Sequence, residues 1–364
     1  MKNNVYINRS SFISALGRSS EESFWEKLYS GQSAVSELRH FPTERLSSHS
    51  AVCIHDLWDG NYENRVLELV KRTLSDFDGV PEDTFIIWTG VKENVENIEK
   101  KVEGPASSNP CNCRKWISEF LEIRDCGMEI NAACASSTIG IAYGAYLISS
   151  GQRRNVLVCA ADIVSRFVFT GFAALRALSP TVCRPFDKNR DGLVLGDGAA
   201  AVLLTADSGP VRIAGWGISN DANHITGPSR DGSGLADAIS QAMNMEKTSA
   251  SSVGAFCAHG TGTVYNDAME LLAYKKIFGE RKMPLFSIKG AIGHTLGAAG
   301  AIETAICAEL FSRKSIPPTC GLLEPDEKAE GMVSAEAQDF DGDYILKCNS
   351  GFGGVNAALV LGRG

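Results

Sequence analysis

The segment Met128-Glu129-Ile130-Asn131-Ala132-Ala133-Cys134-Ala135-Ser136-Ser137 joins two kinds of local sequence. Residues 128–130 are typical of the end of a strand, and residues 136–150 predict a buried, uncharged helix rich in small side chains. Cys134 would then lie at a helix N-terminus, where the helix dipole and unpaired N–H groups favour a thiolate. We therefore expect a lowered pKa and a nucleophilic thiol, although a cysteine met alone is more often an inert core residue.

The composition excludes several classes of function. The chain of 364 residues is 44% hydrophobic and 21% charged, as in ordinary globular proteins, and its net charge of −8 argues against a nucleic-acid interface. Eleven cysteines without framework spacing predict reduced thiols and a cytoplasmic location. Residues 111, 113 and 126 are too irregularly spaced for a zinc site, so no metal is expected. The N-terminal residues lack the apolar stretch of a signal peptide, and the uncharged segment 130–152 is too polar for a membrane span.

Strand-like apolar segments alternate with helical segments along the chain. Strands are predicted at 84–90, 155–160, 198–205, 255–259 and 356–362, and helices at 22–30, 62–77, 136–150, 234–245, 267–278 and 297–312. Such alternation predicts a layered α/β fold. We expect two similar halves, residues 1–207 and 208–364, each ending in a strand of small residues.

Four glycine-rich motifs accompany Cys134, at residues 184–198, 259–270, 287–300 and 349–356. Their glycines permit positive φ angles and a close approach of the backbone to a ligand. Neither the third nor the fourth motif is a phosphate loop, because the Walker spacing is absent. His259 or His294 alone would more often be structural, and the run from Gly297 to Gly300 could simply pack two helices together. The information lies in the combination of motifs.

With these motifs in this order, the chain resembles the β-ketoacyl-acyl-carrier-protein synthases, the ketosynthase branch of the thiolase superfamily. The resemblance runs from about residue 25 to the C-terminus. It implies a duplicated five-layer α/β/α/β/α sandwich and a decarboxylative Claisen condensation in fatty acid or type II polyketide biosynthesis, with an aryl polyene system as one candidate. No metal or organic cofactor is implied, because the phosphopantetheine arm arrives on the acyl carrier protein. The implied partners are that carrier, acyl and malonyl thioesters, and either a second copy of the chain or a related subunit.

The resemblance implies a role for each residue of the reaction centre. Cys134 would carry the acyl chain, and His259 and His294 would donate from Nε2 to the enolate oxygen formed from malonyl thioester. Both histidines together are typical of elongating rather than initiating members. Phe352 matches the aromatic gate, and its N–H group, with that of Cys134, would hold the oxyanion.

Other charged residues match supporting positions. Lys289 and Glu303 match the family's charged support pair, in which we expect the lysine to orient the site electrostatically rather than to act as a base. Residues expected to be structural are Asp187, Arg190, Asp191, Asp267 and Glu270. The carrier protein is typically acidic, so Arg153-Arg154 and Arg281-Lys282 are candidates for a basic docking patch.

Three departures from the family pattern bear on the acyl pocket. The segment 91–125 is abbreviated, and Gly196-Asp197-Gly198 and Ala161-Asp162 replace the usual Gly-Glu-Gly and Gly-Gly-x-Glu. Asn349-Ser350-Gly351-Phe352 is one residue shorter than the usual Asn-Ser-Phe-Gly-Phe run, so one gating aromatic is expected to be missing. These differences favour a divergent, secondary-metabolic member.

Two alternative functions stay open. A non-catalytic, chain-length-factor-like partner would shape the pocket of another ketosynthase, but such partners usually lack the nucleophilic cysteine. A cysteine hydrolase could use Cys134 and His259, but it would have no use for His294 and Lys289.

Overall fold

Two sets of five strands surround a pair of buried helices in the structure, a computed structural model that describes residues 3–103 and 111–364. The strands are β1 Tyr6–Ser14, β2 Gly17–Arg18, β3 Ser36–Glu37, β4 Ser50–Ala51, β5 Phe85–Trp88, β6 Met128–Glu129, β7 Asn155–Asp162, β8 Gly198–Thr205, β9 Val211–Asn220, β10 Val253–Cys257, β11 Leu285–Phe286, β12 Ser315–Ile316, β13 Gln338–Asp339, β14 Tyr344–Gly351 and β15 Val355–Arg363. The helices are α1 Glu22–Tyr29, α2 His55–Asp59, α3 Arg65–Leu74, α4 Val95–Glu103, α5 Cys113–Phe120, α6 Ser136–Ser149, α7 Arg166–Ala174, α8 Ser233–Met245, α9 Val264–Phe278, α10 Lys289–Ile292 and α11 Ala299–Arg313. Short 3₁₀ turns lie at Ala250–Ser252 and Leu296–Ala298.

The strands repeat one pairing pattern. Among the described residues, eleven strands form one mixed sheet in the order β11-β10-β14-β15-β9-β1-β8-β7-β5-β6, with β2 beside β1. In the N-terminal set, β1, β8 and β7 are antiparallel neighbours and β5 and β6 run parallel to β7. In the C-terminal set, β9, β15 and β14 are antiparallel and β10 and β11 run parallel to β14. The fold is thus duplicated, as expected.

The two sets meet along one short pairing. Tyr6 pairs with Arg212 and Ile7 with Val211, which joins β1 to β9. Because both sets share this sheet, the division into domains at residues 207 and 208 stays a prediction.

Helices occupy three layers around the strands. The buried helices α6 and α11 pack on each other between the two sets of strands. Alternate residues of β7 face opposite ways: Val156 and Val158 share a core with α6, whereas Leu157 shares one with α3. Helix α8, with α9 beside it, covers the outer face of β9 and β15. The order of layers is the predicted α/β/α/β/α.

The two central helices approach each other closely because small residues line their contact. In α6, 11 of 14 residues are buried and none is charged, as expected for a helix surrounded by protein. A Cβ atom added at Gly300 of α11 would lie 2.2 Å from Thr138 Oγ1 on α6. Ser137 Oγ accepts a hydrogen bond from the Ala301 N–H group at 2.9 Å. The helix-packing interpretation is therefore confirmed for Gly300, whereas Gly297 lies against the Thr89 carbonyl and Asp162 rather than against a helix.

Candidate active site

Cys134 lies in a tight turn between β6 and α6. Ala133 has a φ angle of +50°, in the left-handed region that few side chains adopt. Ser136 Oγ secures the turn, since it accepts from the Ala132 N–H group at 2.8 Å and donates to the Ala133 carbonyl at 2.6 Å. In this turn Cys134 is only 6% exposed, and its side chain lines both of the cavities described below.

The predicted lowering of the Cys134 pKa is wrong. Burial raises the pKa of the thiol to about 12, although the positive charge of Lys289 acts to lower it. Asp162 raises it further, while the backbone N–H groups of Cys134 and Phe352 lower it. The local dipoles at the helix start lower the pKa, but removal of the sulfur from water raises it by more.

Two backbone N–H groups converge on the thiol from different strands and turns. One belongs to Cys134, and the other to Phe352 in the loop between β14 and β15. Gly351 permits this approach, because an added Cβ would lie 2.9 Å from the Ala132 carbonyl oxygen. The positions suit the predicted oxyanion-binding role, which stays a prediction.

The two histidines of the second and third motifs lie together beside Cys134. His259 follows β10, and His294 follows α10. Their ring centroids are 5.1 Å apart and their planes cross at 85°. Both rings are buried, and they line one cavity of about 450 Å³ with Cys134.

Hydrogen bonds define the tautomer of each ring. His294 Nδ1 accepts from the Leu296 N–H group at 3.3 Å, and His259 Nδ1 lies 2.9 Å from Asn349 Nδ2, which donates to it. A neutral imidazole whose Nδ1 accepts carries its proton on Nε2. Burial lowers the pKa of both rings well below the usual range, and the charge of Lys289 adds to the effect. Both histidines are thus neutral donors from Nε2.

Lys289 and Glu303 are in contact beneath the histidines. Both side chains are buried, and Lys289 Nζ also donates to the backbone carbonyl of His259. Glu303 Oε2 accepts from Asn349 Nδ2 at 2.8 Å and lies 3.1 Å from the ammonium of Lys347. The pair thus supports the loop that carries His259.

Sequence reasoning missed Lys347 and assigned no role to Asn349 within its motif. Lys347 is fully buried in β14, between Leu346 and Cys348. The one available signal was a charged residue between apolar neighbours in a strand, because lysine is almost never fully buried unless it is paired.

Of the residues expected to be structural, Glu270, Asp267 and Arg190 support the first cavity from behind, whereas Asp191 lies in the lining of that cavity. The Glu270 carboxylate accepts from the N–H groups of His259 and Gly260, each at 2.7 Å, and burial raises its pKa to about 8. Asp267 accepts from the Thr261 N–H group at 3.0 Å and lies 3.8 Å from Arg190. These contacts hold the loop after β10 in place.

A second, apolar cavity of about 460 Å³ lies on the other side of Cys134. Its lining includes Val91, Phe167, Val168, Phe172 and Leu296. Cys134 and Phe352 border both cavities. Phe172 of α7 stacks on Phe352 with centroids 5.5 Å apart, so an aromatic from another element accompanies the shortened motif.

The four basic residues proposed for carrier docking line neither cavity. Arg153 lies 3.3 Å from Asp125 and Arg154 2.5 Å from Asp207. Arg281 donates to the Val253 carbonyl at 2.7 Å. Arg153, Arg154 and Arg281 are therefore engaged in local structure.

No group of three His, Cys, Asp or Glu side chains is placed to hold a metal ion within residues 3–103 and 111–364. In the same part of the chain, no helix is both long and apolar enough to cross a bilayer.

Known sequences match both sets of strands. A family description named beta-ketoacyl synthase, N-terminal domain, matches residues 93–208, and its C-terminal counterpart matches residues 211–323. The chain is 36% identical over 253 residues to the tetracenomycin polyketide synthase ketoacyl synthase alpha subunit of Streptomyces glaucescens, a match that covers 64% of this chain and 59% of that relative. It is 29% identical over 410 residues to 3-oxoacyl-acyl-carrier-protein synthase 2 of Vibrio harveyi, covering 99% of this chain and 98% of that one.

Solved structures match the whole chain. The ishigamide ketosynthase/chain length factor superposes with a TM-score of 0.88 at 26% identity, over 100% of both chains. A ketosynthase in complex with its chain length factor from Xenorhabdus doucetiae gives a TM-score of 0.82 at 27% identity, over 100% of this chain and 98% of that one. The protein has the thiolase fold of the ketosynthases.

The sequence matches specify the family within that fold. The chain belongs to the β-ketoacyl synthase family of acyltransferases, which serves fatty acid or type II polyketide synthesis.

Proposed function

We propose that this chain is an elongating β-ketoacyl-acyl-carrier-protein synthase that joins an acyl group on Cys134 to a malonyl unit. The observation that carries the proposal is the cavity shared by Cys134, His259 and His294, in which both rings hold their protons on Nε2. No metal or organic cofactor takes part in the steps below.

The first step is thioester exchange. The Cys134 sulfur attacks the carbonyl carbon of an acyl carrier thioester, the bond to the carrier sulfur breaks, and the carrier thiolate leaves with the Cys134 proton. The N–H groups of Cys134 and Phe352 stabilise the negative oxygen during the attack. The acyl chain then occupies the apolar cavity lined by Phe167, Phe172 and Leu296.

The second step makes the carbon nucleophile. Malonyl thioester loses carbon dioxide, and the electrons of the broken C–C bond form an enolate whose oxygen accepts from Nε2 of His259 and His294. The enolate carbon attacks the acyl carbonyl, and the C–S bond to Cys134 breaks. The product is a 3-oxoacyl carrier thioester, and the Cys134 thiolate takes a proton from water.

The chain-length-factor-like role is the second candidate. One observation favours it: both full-length structural matches above come from assemblies that contain a chain length factor. The intact set of Cys134, His259 and His294 supports the catalytic role instead.

We further propose that the chain acts as a dimer, with a second copy or with a related subunit.

A product assay tests the proposal. The purified chain is mixed with acyl-loaded and malonyl-loaded acyl carrier protein, and 3-oxoacyl carrier is measured by mass spectrometry. We expect product from the wild type and none from Cys134→Ala. Free fatty acid formed without malonyl carrier would indicate a hydrolase, and product formed only after a second ketosynthase is added would indicate the chain-length-factor-like role.

A further inference from the structure

A second buried lysine joins the Lys289–Glu303 pair. The Lys347 ammonium lies 3.1 Å from Glu303 Oε2 and donates to Thr138 Oγ1 at 2.7 Å. It also contacts Asn349 Oδ1. Two ammonium groups thus share one carboxylate, in a region where Lys289, Glu303 and Lys347 are each at most 2% exposed.

Such a cluster is costly for the fold. Burial of a charge is unfavourable unless an opposite charge compensates it, and here one carboxylate serves two cations. Lys347 has apolar, fully buried neighbours in the strand, Leu346 and Cys348, and its own side chain faces the central helices, where it contacts Thr138 of α6 and Glu303 of α11. The lysine therefore calls for an explanation beyond packing.

Lys347 determines which way the Asn349 amide faces. Asn349 Oδ1 accepts from both Lys347 Nζ and Thr138 Oγ1. The amide nitrogen must then point the other way, toward Glu303 Oε2 at 2.8 Å and His259 Nδ1 at 2.9 Å. With the amide reversed, its oxygen would meet the Glu303 carboxylate and its NH₂ group would meet an ammonium.

The amide orientation in turn determines the histidine tautomer. An NH₂ group that donates to His259 Nδ1 requires a lone pair there, so the single proton of the neutral ring lies on Nε2. We propose that Lys347 is a positioning residue, which acts through Asn349 to hold His259 as a neutral Nε2–H donor toward the enolate oxygen. This inference rests on the proposed condensation.

The charges around His259 define the expected pH dependence. The titratable and charged groups that face the ring or its loop are Cys134, Glu270, Lys289, His294, Glu303 and Lys347. After burial, the nearby positive charges of Lys289 and Lys347, together with His294, lower the His259 pKa. Removal of Lys347 therefore raises that pKa, and the ring becomes protonated at a higher pH. A protonated ring would direct Nδ1–H at the Asn349 NH₂ group, which disrupts the arrangement.

The experiment compares Lys347→Met with wild type in malonyl decarboxylation across pH 5 to 9. We expect the acid limb of the profile to move to higher pH, and the rate near neutral pH to fall about tenfold because part of the His259 population changes to the Nδ1–H tautomer. Lys347→Arg, which retains the charge, should keep the limb near its wild-type position. Lys275→Met, at an exposed lysine that pairs with Glu280, is the matched control and should leave the profile unchanged. An unshifted profile in Lys347→Met would overturn the inference.

A spectroscopic measurement tests the inference independently of activity, and its wild-type arm does not depend on how well the variant folds. In protein labelled with ¹⁵N-histidine, the imidazole nitrogen shifts report which nitrogen carries the proton, and the His259 signals are assigned by their loss in His259→Gln. We expect Nε2–H for His259 in the wild type and an appearance of the Nδ1–H form in Lys347→Met. Nδ1–H in the wild type would overturn the inference. An inactive wild type with Nε2–H would contradict the proposed condensation and leave the role of Lys347 supported.

Discussion

The central helices α6 and α11 occupy equivalent places in the two sets of strands, but they supply different chemistry. Helix α6 begins two residues after Cys134, and α11 begins five residues after His294. A residue other than glycine adopts a positive φ before each helix: Ala133 at +50° and Leu296 at +52°. Each of these two residues lies three positions before its helix, next to a sulfur in one half and near an imidazole in the other.

The difference lies in the charges behind each residue. Helix α6 contains no charged side chain, whereas α11 carries Glu303, which binds both buried lysines. The thiol half alone gives a cysteine whose pKa is raised by burial. The histidine half supplies the neutral donors and the positive charge that counteracts this burial. Neither half forms the proposed reaction centre alone, and the packing of α6 on α11 brings the two sets of groups together.

Removal of the Cys134 thiol should have the largest effect, because it stops condensation and leaves malonyl decarboxylation intact. We expect Cys134→Ala to reduce condensation by roughly 10³-fold or more, because no other group can carry the acyl chain. Malonyl decarboxylation should persist, because the histidine half is intact. Product formation and carbon dioxide release are measured on the same samples, with Cys126→Ala, at an exposed cysteine, as control. Loss of both reactions would mean that the thiol is also needed for decarboxylation.

The charge cluster should be the most sensitive point for stability. Glu303→Gln leaves two buried ammonium groups without a counter-charge, so we expect the free energy of unfolding to fall by about 3–5 kcal/mol. Urea denaturation followed by tryptophan fluorescence measures the change. Glu309→Gln, at an exposed position of the same helix, should change little. Equal stability of the two variants would show that the Glu303 carboxylate does not stabilise the two buried lysines.

Loss of the His294 ring should have the opposite effect to loss of the thiol: it should slow malonyl decarboxylation and spare acyl transfer. We expect His294→Ala to slow malonyl decarboxylation by about 10²–10³-fold, because one donor to the enolate oxygen is lost. Acyl transfer to Cys134, followed by mass spectrometry, should stay within a few-fold of wild type. His55→Ala, at an exposed histidine, is the control. Equal losses in both steps would contradict the division of labour.

The smallest effect should come from the contact between the helices. Gly300→Ala places a methyl group against Thr138 Oγ1, and we expect a loss of about 1–3 kcal/mol in unfolding free energy. Thermal unfolding of Gly300→Ala and Gly171→Ala makes the comparison, because a methyl group at Gly171 meets nothing within 4 Å. A stable Gly300→Ala variant with full activity would show that close helix contact is not required.

Sequence patterns predicted the elements with continuous apolar composition. Strand β8 has the predicted bounds, and β7 extends two residues beyond its prediction. The predicted helix at 62–77 is shorter, because Asn64 caps α3 by accepting from the Leu67 N–H group at 2.8 Å. Strands β1 and β9 were not predicted, since polar residues such as Asn8 and Arg212 interrupt their apolar pattern.

Some residues of the candidate site could be predicted from sequence motifs, whereas others depend on tertiary contacts. Cys134, His259, His294, Lys289 and Phe352 lie in motifs, and the fold brings all five together. Contacts between separate elements could not be predicted from spacing. Phe172 of α7 stacks on Phe352, and Lys347 of β14 donates to Thr138 of the central helix α6. The direction of the Cys134 pKa was mispredicted for the same reason, because burial depends on the whole fold.

Peptide mass spectrometry of the wild-type chain tests the central claim most directly. The chain is incubated with acyl-loaded acyl carrier protein, sampled, and then given malonyl-loaded carrier. We expect an acyl mass on the peptide that contains Cys134, followed by its discharge into 3-oxoacyl carrier when malonyl carrier is added. An acyl group on another residue, or one that malonyl carrier does not discharge, would contradict it.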